Sequence, residues 1–311
     1  MMDENSEEYV VIRGEKYYVH NKRLDLTSKT DIVLSEVEGL ADLENLEILC
    51  LRGNSIYKIE NLENLTNLES LDLGRNYITE IEALENLVNL KTLVFGEGDE
   101  GGNPISEIKG LETLTNLRHL HFDCNEITEI KGLENLNKLE FLSFFGNKIS
   151  EVKGLENLTN LRELILSYNK IEELKGLGNQ GKLKYLDLAY NDITEIKGLE
   201  NLMNLKQLYL GHNKIEEIKG LENLKNLKTL ELSENNISEM KGLDSLKSLR
   251  HLYFNRNEIT EIRGLENLEN LETLDLRENK ITEVKWLESL PNLRELRLRG
   301  NPIKESIEKI N

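Results

Sequence analysis

The stretch "LRELILSYN" (Leu161–Asn169) returns as "LKYLDLAYN" (Leu183–Asn191) and again as "LKQLYLGHN" (Leu205–Asn213), 22 residues apart each time. Written as L-x-x-L-x-L-x-x-N, with Phe admitted at the sixth place and one copy interrupted by an insertion, the frame occurs twelve times, closing on Asn54, Asn76, Asn103, Asn125, Asn147, Asn169, Asn191, Asn213, Asn235, Asn257, Asn279 and Asn301. Every step is 22 residues except Asn76 to Asn103, which is 27. A chain of 311 residues would ordinarily suggest two domains. A fixed period overrides that expectation, because stacked repeats grow without a set core size.

The pattern is the leucine-rich-repeat signature, and it predicts an α/β solenoid: a horseshoe with a parallel concave β-sheet and a convex face of 3₁₀ or short turns. Side chains alternate along a strand, so the leucines at the fourth and sixth places of the frame point inward. The third, fifth, seventh and eighth places then line the concave face. The closing Asn has a side-chain amide suited to bonding backbone groups where the chain leaves the strand, once per repeat. In the remainder of each unit, as in "ITEIKGLENLNK" from Ile127, apolar residues fall every third place (Ile127, Ile130, Leu133, Leu136, Leu139). That spacing suits 3₁₀-like turns better than an α-helix.

Three segments follow. Residues 1–33 read as an N-terminal β-hairpin cap, with "YVVIRGEKYYVH" turning around Arg13 to Lys16, and 34–303 as the twelve repeats with an insertion at 96–102. Residues 304–311 read as a short or truncated C-terminal cap, with Ile303, Ile307 and Ile310 at helical spacing. Trp286 stands where most repeats carry the Gly before Leu, and local packing against the convex turns accounts for it.

The net charge of -18 and sequence pI near 4.9 oppose nucleic acid and anionic membrane as partners. The acidic start "MMDENSEEYVVIRGEKYYVHN" is unlike a secretory signal, so the expected location is the cytoplasm, and the expected state is a monomer. Cys50 and Cys124 lie three repeats apart, on the order of 14 Å at strand spacing, which is too far for a disulfide. Two free thiols suit a reducing compartment.

"LRHLHFDCN" (Leu117–Asn125) gathers His119, His121, Asp123 and Cys124, a set that raises the question of a metal site. Residues two apart on a strand are ~6.5 to 7 Å apart, so further ligands would have to come from neighbouring strands. Those strands offer Thr92, Val94, Phe141, Ser143 and Phe145. None is a convincing ligand, and no cofactor is expected. The insertion "FGEGDEGGN" (Phe95–Asn103) sets Glu97, Asp99 and Glu100 among glycines and should bulge from the rim. A calcium loop is the alternative there, although the spacing matches no EF-hand. No P-loop, G-x-S-x-G, HExxH or CxxC occurs, and most carboxylates fall on a wet face, so no enzyme is expected.

Aromatic residues give the stronger signal. Phe141, Phe145, Tyr168, Tyr185, Tyr190, Tyr209 and Tyr253 occupy seven of the 48 concave places, where the 17 aromatics of 311 residues would put between two and three. His212 and His251 lie beside them, interspersed with Glu163, Asp187 and Glu231. Exposed aromatics among acids are the material of protein-binding hot spots, so repeats five to ten are the expected partner surface. Arg256, Arg277, Arg297 and Arg299 form a second, basic patch in the last three repeats, with Glu278 and Glu295 available to pair them.

The repeats built on "IxEIKGLENLxNL" resemble the regulatory leucine-rich-repeat subunit of protein phosphatase 1. The resemblance covers residues ~30 to 303 and extends to the irregular "GLGNQGKL" within Leu161–Asn191. It implies a phosphatase catalytic subunit docked on the concave face, with Asp187 at the acidic position and Tyr209 at an aromatic one. His121, Ser143, Asp72 and Val94 depart from that ladder, and three further repeats follow Asn235. The reading is a non-catalytic binding scaffold, with a phosphatase regulator and a metal- or calcium-dependent binder as alternatives.

Overall fold

The computed structural model describes residues 8–29, 31–284 and 290–303. Two compact units divide the chain, Met1–Ile149 and Ser150–Asn311. Trp286 and residues 304–311 lie outside the described residues.

The N-terminal unit opens with an antiparallel hairpin of β1 (Tyr9–Ile12) and β2 (Glu15–Tyr18), with Tyr9 opposite Tyr18. Its turn is shorter than the sequence suggested. Arg13 and Gly14 alone make it, both at positive φ, and Lys16 already belongs to β2. Six parallel strands follow: β3 (Arg23–Asp25), β4 (Ile48–Cys50), β5 (Ser70–Asp72), β6 (Thr92–Val94), β7 (His119–His121) and β8 (Phe141–Ser143). Leu24, Leu49, Leu71, Leu93, Leu120 and Leu142 sit in register across them.

The C-terminal unit contributes seven parallel strands: β9 (Glu163–Ile165), β10 (Tyr185–Asp187), β11 (Gln207–Tyr209), β12 (Thr229–Glu231), β13 (His251–Tyr253), β14 (Thr273–Asp275) and β15 (Glu295–Arg297). Their middle leucines, from Leu164 to Leu296, are again in register. The fold is the expected leucine-rich-repeat solenoid. No α-helix occurs among the described residues, and none is long and apolar enough to cross a membrane.

Three kinds of bond fix each repeat. The fourth- and sixth-place residues, such as Leu186 and Leu188, are wholly buried in every repeat but the last, where Leu296 and Leu298 are half-buried, and each wholly buried side chain stabilises by roughly 1.5 to 3 kcal/mol. On the opposite side the chain descends in steps of three: Leu202 N–H donates to Leu199 O at 3.0 Å and Leu205 N–H to Leu202 O at 2.9 Å. This is 3₁₀ bonding, as the apolar spacing predicted. The closing Asn joins neighbours: Asn191 Nδ2 donates to Leu166 O and Leu188 O at 3.0 Å each, and its Oδ1 accepts Ile171 N–H at 3.0 Å.

A further asparagine ladder runs through the convex turns, where the sequence had suggested only a solvated face. Asn223 and Asn226 donate to Glu200 O at 3.2 Å and Met203 O at 2.8 Å, one repeat back. The recurrent Gly before Leu has its own cause. Gly198 has φ +82°, and a Cβ there would lie 2.0 Å from Leu174 O, so the turn admits no side chain.

Candidate functional site

Each strand of the C-terminal unit is only three residues long, which determines what its open face presents. Third and fifth places lie on that face, and in-register pairing stacks like places into columns spaced ~4.8 Å apart. The fifth-place column from β10 to β15 reads Asp187, Tyr209, Glu231, Tyr253, Asp275, Arg297. Acid and tyrosine alternate until the arginine closes the run. The third-place column brings Glu163, Tyr185 and His251 alongside, and Tyr185 meets Tyr209 with ring centroids 5.3 Å apart.

Where the fifth place is acidic, in β10, β12 and β14, the carboxylate accepts the N–H two residues on and shapes the turn leaving the strand. Asp187 accepts Ala189 N–H at 3.0 Å and the Ser167 hydroxyl at 2.9 Å. Glu231 accepts Ser233 N–H at 2.9 Å. Its carboxylate rests over Gly211, where a Cβ would stand 2.0 Å from Oε2. No cation of the described chain forms an ion pair with Asp187 or Glu231. Burial pushes both carboxyls above their ordinary range, with these hydrogen bonds opposing it. Burial likewise raises the Tyr185 and Tyr209 phenols, with the Asp187 charge adding to it.

Asp275 differs. Its side chain is fully buried, and Arg277 Nε donates to both carboxylate oxygens at 2.9 and 3.0 Å while Nη2 reaches Oδ2 at 2.6 Å. Arg297 adds a bond at 3.3 Å. Burial again disfavours the charge, but the Arg277 and Arg297 contacts prevail and hold this carboxyl below its ordinary range. Tyr209, Glu231, Ser233, Tyr253, Asp275 and Arg297 are among the residues lining an open cavity of ≈ 410 Å³ on this face.

Tyr168, Tyr190 and His212 are not part of that column. They hold the eighth place, where the backbone is left-handed with φ between +52° and +56°, and this turns their side chains into a separate stack. Tyr168 lies 4.0 Å from Tyr190 and Tyr190 3.8 Å from His212, ring centre to ring centre. The stack continues through Glu234, whose carboxylate lies 3.0 Å from His212 Nδ1, and Arg256 then forms ion pairs with Glu234 at 2.7 Å and Glu278 at 2.8 Å. The basic patch is thereby largely consumed, because Arg256 pairs in this stack and Arg277 and Arg297 clasp Asp275. Arg299 alone is exposed with no ion pair to the described residues.

Phe141 and Phe145 belong to the N-terminal unit, where the face is closed by its own contacts. Phe141 stacks on His121 with centroids 4.5 Å apart, and burial lowers the tendency of His121 to protonate. His119 is exposed on the same strand. Asp123 turns away from both histidines: it accepts Gly98 N–H at 2.7 Å and Phe145 N–H at 3.2 Å, and it bonds the Ser143 hydroxyl. Among the described residues no group of three or more His, Cys, Asp or Glu is placed to hold a metal ion.

The insertion does not bulge freely from the rim. It lies against the turn of the following repeat, so closely that a Cβ on Gly96 or Gly102 would fall 1.9 or 2.2 Å from Asp123 O. Glu97 reaches back to Arg52 at 3.2 Å, and Cys124 Sγ donates to Gly98 O at 3.2 Å.

Residues that sequence reasoning passed over shape the C-terminal site. Ser167, Ala189, Gly211 and Ser233 fill the seventh places of β9 to β12 repeats, leaving room above the fifth-place acids. Their signal was a run of four small residues at one place, giving way to Asn255, Arg277 and Arg299. A stacked, exposed pair, Tyr57 and Tyr77, with centroids 5.1 Å apart, was also missed because neither stands at a strand place.

A family profile for leucine-rich repeats in two copies matches residues 44–86, 137–179, 182–223, 225–267 and 269–311, more than half of the chain. The chain belongs to the leucine-rich-repeat family, whose members generally serve as non-catalytic protein-binding surfaces. No curated protein matches it. Among solved structures it is similar to an internalin (inlF) from Listeria monocytogenes, at 33% identity over 93% of this chain and 85% of that one, with TM-score 0.82. A leucine-rich-repeat protein from Leptospira interrogans is similar at 27% identity over 85% of this chain and 75% of its own, with TM-score 0.73.

Proposed function

We propose that this protein is a cytoplasmic, non-catalytic scaffold that binds a protein partner through the open face of β10 to β13. One observation carries the reading: Asp187 and Glu231, partly buried, face outward between Tyr185, Tyr209 and Tyr253 with no cation of the described chain paired to either. Carboxylates kept in that state cost stability, and a partner that supplies the missing cation recovers it. The strands are fixed by full hydrogen bonding, so docking on them orders little additional chain. The two free cysteines accord with a reducing compartment.

The test is retention of a partner by the immobilised protein from an extract of the cells that make it, compared with a Tyr185→Ala, Asp187→Ala, Tyr209→Ala variant. A protein held by the parent and lost by the variant supports the reading. A phosphatase catalytic subunit in that role would support the finer regulatory function that the resemblance implies. Equal retention by parent and variant would sink the open-face site.

A further inference from the structure

The open face segregates charge along its length. At the third, fifth and seventh places of β9 to β12, the acids are Glu163, Asp187 and Glu231, and there is no lysine or arginine. The same places of β13 to β15 hold Asp275 and Glu295 against Arg277, Arg297 and Arg299. The uncompensated half of the face is therefore the half with small seventh-place residues. It suits a cationic partner segment.

Spacing narrows the conformation of that segment. Asp187 and Glu231 stand two strands apart, ~9.6 Å at ordinary strand separation. A polyproline II segment rises 3.1 Å per residue with three residues per turn, so its side chains repeat on one side every ~9.3 Å. An extended β segment repeats every ~6.6 to 6.8 Å and would meet one acid and miss the next. Between the acids lies Tyr209, with Tyr185 beside it and Tyr253 beyond Glu231. Such an aromatic floor is what polyproline II ligands dock on elsewhere, because their conformation is ordered before binding.

We infer that the β10 to β13 face takes a basic, proline-containing segment in polyproline II conformation. Lysine or arginine at every third residue would lie over Asp187 and Glu231, and the intervening prolines on Tyr185, Tyr209 and Tyr253. This rests on the open-face reading above and specifies the chemistry of the partner.

Fluorescence anisotropy with three labelled peptides tests it at physiological salt. KPPKPPKPPK carries the inferred spacing, KKPPPPPPKK has the same composition with its charges clustered, and EPPEPPEPPE reverses the sign. The spaced basic peptide should bind about ten-fold more tightly than the clustered one, and the acidic one should not bind. Asp187→Asn with Glu231→Gln should weaken the spaced peptide about ten-fold while leaving the thermal midpoint at or above the parent's. Tyr209→Ala should weaken it as well. Equal binding of the two basic peptides, indifference to the carboxylate substitutions, or no binding would overturn the inference. If the peptides fail while an extract protein is still lost from the triple variant, the open-face reading stands without this ligand. If that protein is retained by the variant, the open-face reading falls by itself.

Discussion

Asp187 and Asp275 occupy the same place of their repeats, end strands of the same length, and accept the same N–H two residues on. Several neighbours differ, and two of the differences decide the local charge. Two residues along, Asp187 has Ala189 where Asp275 has Arg277, and on the next strand Asp187 faces Tyr209 where Asp275 faces Arg297. The carboxyls respond in opposite directions: burial raises one, and the arginines lower the other despite its burial. The β14 acid is thus spent on internal structure. The β10 acid is held at some cost, with no cation of the described chain paired to it.

The largest effect should come from removing the compensated acid. Asp275→Asn leaves Arg277 and Arg297 facing a neutral amide and should lower unfolding free energy in urea by about 2 kcal/mol, less than a wholly buried pair because both guanidiniums are partly exposed. The pH dependence has a definite sign. A carboxyl whose folded pKa lies below its unfolded value, near 3.9, stabilises fully above that value and loses the contribution as pH falls through the folded pKa. The parent should therefore lose more stability than the Asn variant below about pH 4. Equal acid sensitivity would show that the arginine clasp contributes nothing.

Gly211→Ala should come next. The added Cβ would meet Glu231 Oε2 at 2.0 Å and drive this flexible carboxylate end from its seat, so that the effect falls on any ligand that uses Glu231, with unfolding free energy lowered by less than about 1 kcal/mol. A crystal structure with Glu231 unmoved would contradict this account of the seat.

How much of this was legible beforehand follows from what a period can encode. The inward leucines, the closing asparagines and the 3₁₀ turns all repeat at 22 residues, and each is where the frame put it. The candidate site was legible in composition but not in arrangement. Alternation predicts facing only while the chain stays extended, and β10 stops at Asp187. Three residues later Tyr190 has φ +55°, so it joins Tyr168 and His212 in another stack. The pattern also shows arginines near acids without showing which pairs close. Arg277 read as part of a basic patch with Glu278 and Glu295 to pair it; those acids pair Arg256 and Arg297, while Arg277 clasps Asp275 two residues back.

A smaller effect of opposite sign is expected from Asp187→Asn. A carboxyl whose folded pKa is raised opposes folding increasingly as pH rises through the unfolded and then the folded value. The Asn variant should be more stable than the parent at pH 7 by about 0.5 kcal/mol, and the difference should vanish near pH 3. Ala189→Arg supplies the cation instead, copying the Arg277 arrangement. It should stabilise by a similar ~0.5 kcal/mol and abolish binding of a cationic ligand, which calorimetry and anisotropy would read separately.

Arg299 sets the lower limit of the series and isolates what the clasp requires. It stands at the seventh place of its repeat, as Arg277 does, but the fifth-place residue two positions back is Arg297 rather than an acid. The geometry of a clasp is present without its carboxylate, and the side chain is left exposed. Arg299→Ala should change unfolding free energy by less than about 0.5 kcal/mol. A loss approaching that of Asp275→Asn would mean that stability at β15 comes from the arginine's packing and not from pairing. The contrast between Asp187 and Asp275 would then have to be rebuilt on side-chain volume instead of charge.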